Sequence, residues 1–403
     1  MIFNKKLFST KLLVVIALTT GIFACSSSDD EDPREVVAEL IEFEPLFEPE
    51  VIWDASVGYG VEDHFSRIKP AVAYGKVFSA SREGDVIAFD QASGDELWDV
   101  DLSDINNERS FFESRKSAQL AGGMTTGMNK VFIGNENGNI YALDAETGEL
   151  VWQNTIKGEI INAPAMDSGI LVVNSASGVL QAFNATTGED LWKIEQDVPA
   201  LTLRGMSSPV IASGGVLIGQ ANGDVSVYLL DKGQKGWSTT IGEASGSTEL
   251  QRVIDVDTSP VVFGDKVYSV SSRGNLAAIE LRTGNILWKR QYSSYRQISI
   301  DGNSIFFTTD RGHVFSVNRN DGLEQWSNLT MSNRGVTGPV IYDDYIVVGD
   351  FEGYLHWLSQ ETGEVVARHY VDGSGIHSTP TVVDGVLYSQ ARDGELEAIQ
   401  LPK

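Results

Sequence analysis

Short runs of alternating apolar and polar residues, each ended by a glycine-containing turn, fill the chain from residue 50 onward. A period of two marks strands with one buried face, and runs this short and evenly spaced predict an all-β fold. The runs themselves repeat. A Gly, an alternating apolar stretch, an acid or amide, a Thr-Gly-type turn and a Trp recur as GDVIAFDQASGDELW (84–98), GNIYALDAETGELVW (138–152) and GVLQAFNATTGEDLW (178–192). They continue as GDVSVYLLDKGQKGW (223–237), GNLAAIELRTGNILW (274–288) and GHVFSVNRNDGLEQW (312–326). A seventh copy, GYLHWLSQETGEVVA (353–367), has Ala367 at the Trp position, and an eighth, GELEAIQL (394–401), stops with the chain. The opening glycines lie 38 to 54 residues apart, a period that suits one four-stranded propeller blade.

Upstream of each copy lies another strand pair around a Gly or Asp turn, as in PAVAYGKVFSAS (70–81) and PTVVDGVLYSQ (380–390). Each repeat therefore predicts four strands. Between the third and fourth, Gly94, Gly148, Gly188, Gly284, Gly322 and Gly363 are expected to supply the positive φ of a tight turn. The Trp that follows is expected to bury its ring between blades. The eighth repeat lacks its fourth strand and its Trp. EVIWDASV (50–57), with Trp53, can supply both by pairing beside 394–401, which closes the ring and removes an exposed sheet edge. The prediction is an all-β, eight-bladed β-propeller of four-stranded blades over residues 50–403, its last blade closed by an N-terminal strand.

The first 49 residues follow another logic. Lys5, Lys6 and Lys11 precede or flank an apolar run from Leu12 to Leu18, and small residues follow up to Ala24-Cys25. Residues 1–24 read as a secretory signal peptide, too short for a comfortable transmembrane span. The only cysteine, Cys25, stands where a bacterial lipoprotein is cleaved and acylated, and Ser26 after it resembles the Gram-negative pattern that routes lipoproteins to the outer membrane. A single cysteine also excludes structural disulfides, CxxC redox motifs and cysteine-based zinc sites. Residues 26–50 carry ten acids and one base, Arg34, so 25–49 reads as an extended acidic tether contributing no blade residues. The formal net charge of −26 argues against nucleic acid as a partner, since such a partner requires a basic footprint.

Function is expected where the repeat lapses. The hairpin turns are short and uniform, whereas the blade-to-blade connections vary and share one face of the predicted ring; the long ones follow Trp98, Trp192 and Trp237. KIEQDVPALTLRGMSSP (193–209) places Leu201, Leu203 and Arg204 outside the blade pattern, a composition suited to a protein-binding hot spot. The connection 238–260 contains Asp255 and Asp257 two residues apart, on one side of an extended strand. Such a pair could be catalytic, bind a metal or meet a basic partner, and no third ligand is evident. The connection 101–120 sets Phe111 and Phe112 beside Arg109, Arg115 and Lys116, a second candidate contact surface. His64, His313, His356, His369 and His377 show no HxH or HExxH spacing, and GxSxG, P-loop and Rossmann glycine patterns are missing from the sequence.

The A-x-D-x-x-T-G-x-x-x-W repeat resembles that of the quinoprotein dehydrogenase propellers. That resemblance implies pyrroloquinoline quinone above the central channel, a Ca²⁺ ion and, in many members, adjacent cysteines, which this chain lacks. A lipoprotein of this length with eight such blades is similar to the BamB family, accessory lipoproteins of the outer-membrane β-barrel assembly machinery. The similarity spans nearly the whole mature chain and rests on SVGYG (56–60), DVPALTLRG (197–205) and DVDTSPVV (255–262) beyond the generic repeat. It implies that Leu201, Leu203, Arg204, Asp255 and Asp257 bind the POTRA domains of the barrel-forming subunit BamA. The expectation is a non-enzymatic scaffold without a cofactor, held by lipid at Cys25 on the periplasmic face of the outer membrane, and assisting unfolded outer-membrane protein clients. The alternative is a periplasmic quinone-dependent dehydrogenase.

Overall fold

The computed structural model describes residues 36–105, 116–199, 201–202, 207–242 and 253–402, of which all but Val36 belong to one compact unit beginning at Val37. The leader, Cys25, Leu203, Arg204 and the aromatic-basic run at 109–115 lie outside the described residues. Among the described residues, thirty-two strands, β1–β32 in chain order, form eight four-stranded sheets. Seven sheets take consecutive strands, beginning with β2 (Ala71–Ala73), β3 (Lys76–Ala80), β4 (Asp85–Asp90) and β5 (Glu96–Asp101). The eighth has the order β1-β32-β31-β30, so β1 (Glu50–Ser56) is the outer strand beside β32 (Glu395–Gln400). Their antiparallel register runs from Glu50 opposite Gln400 to Ser56 opposite Glu395. The predicted propeller and its N-terminal closure are both present.

The Trp and Gly of the repeat form a lock between neighbouring blades. Each Trp ring lies against the turn glycine of the following blade: a Cβ added to Gly94 would meet Trp53 at 2.6 Å, one at Gly148 would meet Trp98 at 2.7 Å, and one at Gly188 would meet Trp152 at 2.6 Å. The indole N–H groups of those three residues donate to the carbonyls of Gln91, Ala145 and Ala185 in the same turns. Glycine is required twice over at these positions, by the absent side chain and by a φ of +75° at each of the three. The lock also accounts for Ala367. The blade after it has no third-to-fourth-strand turn, because its fourth strand is β1 rather than a continuation of β32, so a Trp at 367 would have no glycine to close on. Trp357 fills that seam instead, with Phe47 edge-on to it at 6.4 Å.

Phe47 belongs to the segment expected to be a free tether, and here the structure differs. Residues 37–49 pack along the outer strand of the seventh blade, β29 (Val365–Tyr370). The Ala38 N–H donates to the Ser332 carbonyl at 2.9 Å and the Leu46 N–H to the Val366 carbonyl at 2.8 Å. Phe43 and Phe47 are half-buried, whereas Glu39, Glu42, Glu44 and Glu48 face solvent. Glu39, Glu42, Glu44 and Glu48, four of the acids that suggested an extended tether, occupy the outer side of a docked strap.

Candidate functional site at the mouth of the central channel

The eight innermost strands surround the propeller axis, and the blade-to-blade connections lead into them on one face. On that face residues just before the first strands of six blades line a cavity of about 740 Å³. Ser208 and Pro209, from the connection 193–209, line it together with Asp257, Thr258 and Ser259, from the connection 238–260. The two segments singled out in the sequence thus meet at the same mouth. Leu201 is 44% exposed, as a contact residue requires.

The aspartates are placed differently from the expectation of an exposed pair. Every residue from Val253 to Thr258 is buried, with Asp255 at 0% and Asp257 at 3% exposure. The segment runs in the seam between the fourth and fifth blades: the Val256 N–H donates to the Gln220 carbonyl and the Ser272 N–H donates to the Asp255 carbonyl. Gly219 makes room for it, since a Cβ there would stand 2.2 Å from the Val256 carbonyl oxygen. Both sides of the segment are therefore covered, although it forms no strand, and alternation within it could not reveal that.

Burial pushes the Asp257 carboxyl up to about 7, opposed by nearby Arg67 and reinforced by Asp255. Arg67 donates from Nη1 to the Asp257 backbone carbonyl at 3.3 Å. A carboxyl whose folded-state value lies above its unfolded value of about 3.9 favours folding at low pH, and that contribution disappears as pH rises through about 7. Asp257→Asn should therefore stabilise the protein increasingly from pH 4 to pH 7 and level off above, by something on the order of a few kcal/mol at pH 8. Urea unfolding of both proteins at pH 5 and pH 8 measures this; a gap that does not widen at pH 8 would contradict it.

Among the charged residues of the rest of the lining, cations outnumber acids. Arg67 and Lys69 come from the connection before β2, Arg296 from the one before β22 (Ser299–Asp301), and Arg392 from the turn before β32. The lining acids are Asp63, paired with Arg392 at 3.2 Å, and Asp257. His377 is pushed down to about 4 by burial and by Arg392 and Arg296, so it is neutral at pH 7. Sequence reading passed over this cation group. A signal existed: the residue before the proline that opens a first strand, as in Lys69-Pro70, Ser208-Pro209 and Ser259-Pro260, faces the channel, so aligning that position across repeats reads out the lining.

The family profile described as "Outer membrane protein assembly factor BamB" matches residues 82–328 and 329–401. A protein of that name from Shewanella oneidensis is 45% identical over 379 residues, covering 94% of this chain and 95% of its own length. The chain belongs to the BamB family. The Escherichia coli BamB is 37% identical over 388 residues, covering 96% of this chain and 98% of its own. The crystal structure of BamB from Moraxella catarrhalis superposes with a TM-score of 0.78 at 25% identity, covering 87% of this chain and 99% of that one. Quinohemoprotein alcohol dehydrogenase from Comamonas testosteroni superposes at 0.67 with 14% identity, covering 89% of this chain and 78% of that one, a likeness of fold.

The quinone and Ca²⁺ implied by the dehydrogenase likeness do not fit the residues at this mouth. Among the described residues no three His, Cys, Asp or Glu side chains converge as a metal would need. The carboxylates lining the cavity are one engaged with Arg392 and one that holds a proton up to about pH 7. A divalent cation placed there would face Arg67, Lys69, Arg296 and Arg392 with little compensating charge.

Proposed function

We propose that this BamB-family protein is a non-enzymatic scaffold in outer-membrane protein assembly, anchored by lipid at Cys25 to the periplasmic face of the outer membrane. Its connection face binds the POTRA region of BamA, and through that contact it assists folding and insertion of outer-membrane proteins. Family membership over nearly the whole chain supports the assembly role. The observation that carries the choice of face is the meeting of Ser208 and Pro209, from the segment 193–209, with Asp257, Thr258 and Ser259 at one mouth, with Leu201 exposed in the first of these segments. Leu201, Leu203 and Arg204 are the proposed contact residues. Asp255 and Asp257 are buried in the seam, where their main-chain carbonyls accept from Ser272 N–H and Arg67, so the segment holds the connections in place and neither carboxyl presents charge to the partner. Their replacement by Asn should therefore leave the salt dependence of binding unchanged, unlike loss of a rim charge.

The test is binding of the full mature protein to purified POTRA domains by surface plasmon resonance. Leu201→Ala with Leu203→Ala should raise the dissociation rate about tenfold or more and leave the association rate nearly unchanged, because the leucines bury area that must be re-exposed on leaving. Unchanged binding by a double variant with native circular dichroism would move the contact elsewhere. Mass spectrometry of the mature N-terminus tests the anchor, which predicts an acylated Cys25.

A further inference from the structure

The channel mouth carries a cation surplus within a protein of net charge −26, and nothing in the scaffold role uses it. Lys69 is exposed to the cavity yet ringed by protein, and burial pushes its ammonium down from its ordinary value. Among the described residues no carboxylate pairs with Lys69 or with Arg296. Arg296 is held by stacking on Tyr295, 4.7 Å from its guanidinium to the ring centre, and by an Nη2 hydrogen bond to the Gly335 carbonyl at 3.5 Å. Arg67 lies over the Phe65 ring at 5.9 Å. Burial lowers Arg67, with Asp257 opposing and Arg296 adding to the fall, and burial with Arg392 and Arg296 keeps His377 neutral. Like charges brought together from three blades, in a cavity ringed by protein, are an arrangement that a bound counter-charge would relieve.

We propose that this mouth is a binding site for a small, multiply charged anion of the carboxylate or phosphate class, held by Lys69, Arg296 and Arg67. The cavity volume is that of a small-molecule site rather than of a protein interface. Guanidinium forks from two connections suit the planar or tetrahedral oxygens of such groups, and Lys69 adds a point charge to the same lining. Aromatic stacking fixes both forks before a ligand arrives, which lowers the ordering cost of binding. Thr379 and Ser259 place hydroxyl donors at the same lining.

Isothermal titration of the full mature protein with citrate and, separately, with pyrophosphate, at low ionic strength matched with chloride, tests this. The expected result is saturable binding of at least one of the two. That binding should weaken about tenfold or more in Lys69→Gln and in Arg296→Gln, and persist in Lys69→Arg. Each variant is checked by circular dichroism, and the two glutamine variants serve as independent tests should one fold poorly. No saturable heat with either anion overturns the proposal, as does binding that both glutamine variants retain in full. POTRA binding is read separately, so failure here leaves the scaffold reading untouched.

Discussion

A chain that starts at Gly58 should melt far below one that starts at Glu50. The difference between them is β1, which lies along β32 over most of that strand. Its Trp53 is 7% exposed, donates to the Gln91 carbonyl at 3.1 Å, and stands between Phe89 and Tyr388 at centroid distances of 6.2 and 5.9 Å. Loss of a buried Trp side chain alone costs about 3–5 kcal/mol. Loss of the strand also exposes β32 as an unpaired edge and opens the seam between the eighth and first blades. The total should exceed about 5 kcal/mol, a large share of the marginal stability of a folded domain. Removing only the strap, by starting at Glu50 instead of Val37, should cost less, because Phe43 and Phe47 are only half-buried. Thermal and urea midpoints of the three chains give the order. Equal midpoints for the Glu50 and Gly58 chains would refute ring closure by β1, and size-exclusion chromatography should find the Gly58 chain self-associating through its open edge.

What was legible in the sequence and what was not follows from where each piece of information resides. The blade lock is local and repeated, so Trp98 with Gly148, or Trp152 with Gly188, can be read as pattern before their contact is known. Closure was legible because Trp53 is the missing member of a set. The strap was hidden by composition: its acids dominate any average, while the residues that dock, Ala38, Leu40, Phe43 and Phe47, are few and irregularly spaced. Asp255 and Asp257 misled for a different reason. Their burial comes from the turns of two neighbouring blades closing over the segment, and nothing in VIDVDT itself records those neighbours. The cations of the channel mouth lie as far apart in sequence as Arg67 and Arg392, and only the ring brings them together. Position within the repeat tells which residues face the axis; it does not tell what charge they sum to.

Asp350→Ala should destabilise the protein by about 3–5 kcal/mol and release the strap, although Asp350 never touches it. Asp350 is wholly buried at the end of β27 (Tyr345–Gly349), and its carboxylate is the hub of a charged network. It accepts from Arg334 Nε at 2.8 Å, from His356 Nε2 at 3.0 Å, and from the N–H groups of Glu352 and Tyr354 at 3.0 Å each. Arg368 Nε donates to His356 Nδ1 at 3.3 Å, so the ring is neutral with its proton on Nε2, in line with the burial that pushes its pKa down. The outer arms of this network hold the strap: Arg334 Nη1 donates to the Ala38 carbonyl at 2.9 Å, and Arg368 Nη2 donates to the Ile41 carbonyl at 3.2 Å and its guanidinium lies 5.0 Å from the centre of the Phe43 ring. Removing the carboxylate leaves Arg334, 2% exposed, with Glu352 as its remaining acid partner. Arg334 and Arg368 would then shift toward water and let go of Ala38 and Ile41. Burial pushes the Asp350 carboxyl up, but the hydrogen bonds it accepts outweigh that and hold it below the usual carboxylate range. Its stabilising contribution is therefore present above the unfolded carboxylate pKa and lost as pH falls through the folded one. His356, depressed below its unfolded value, acts in the same sense from about pH 6.5 downward. Wild-type protein should accordingly lose strap protection on acidification, and the variant should lack it already at pH 7. Hydrogen exchange of the Ala38 and Leu46 amides reads both effects. Slow exchange of those two amides in a folded Asp350→Ala protein at pH 7 would show that the strap is held by its phenylalanines alone.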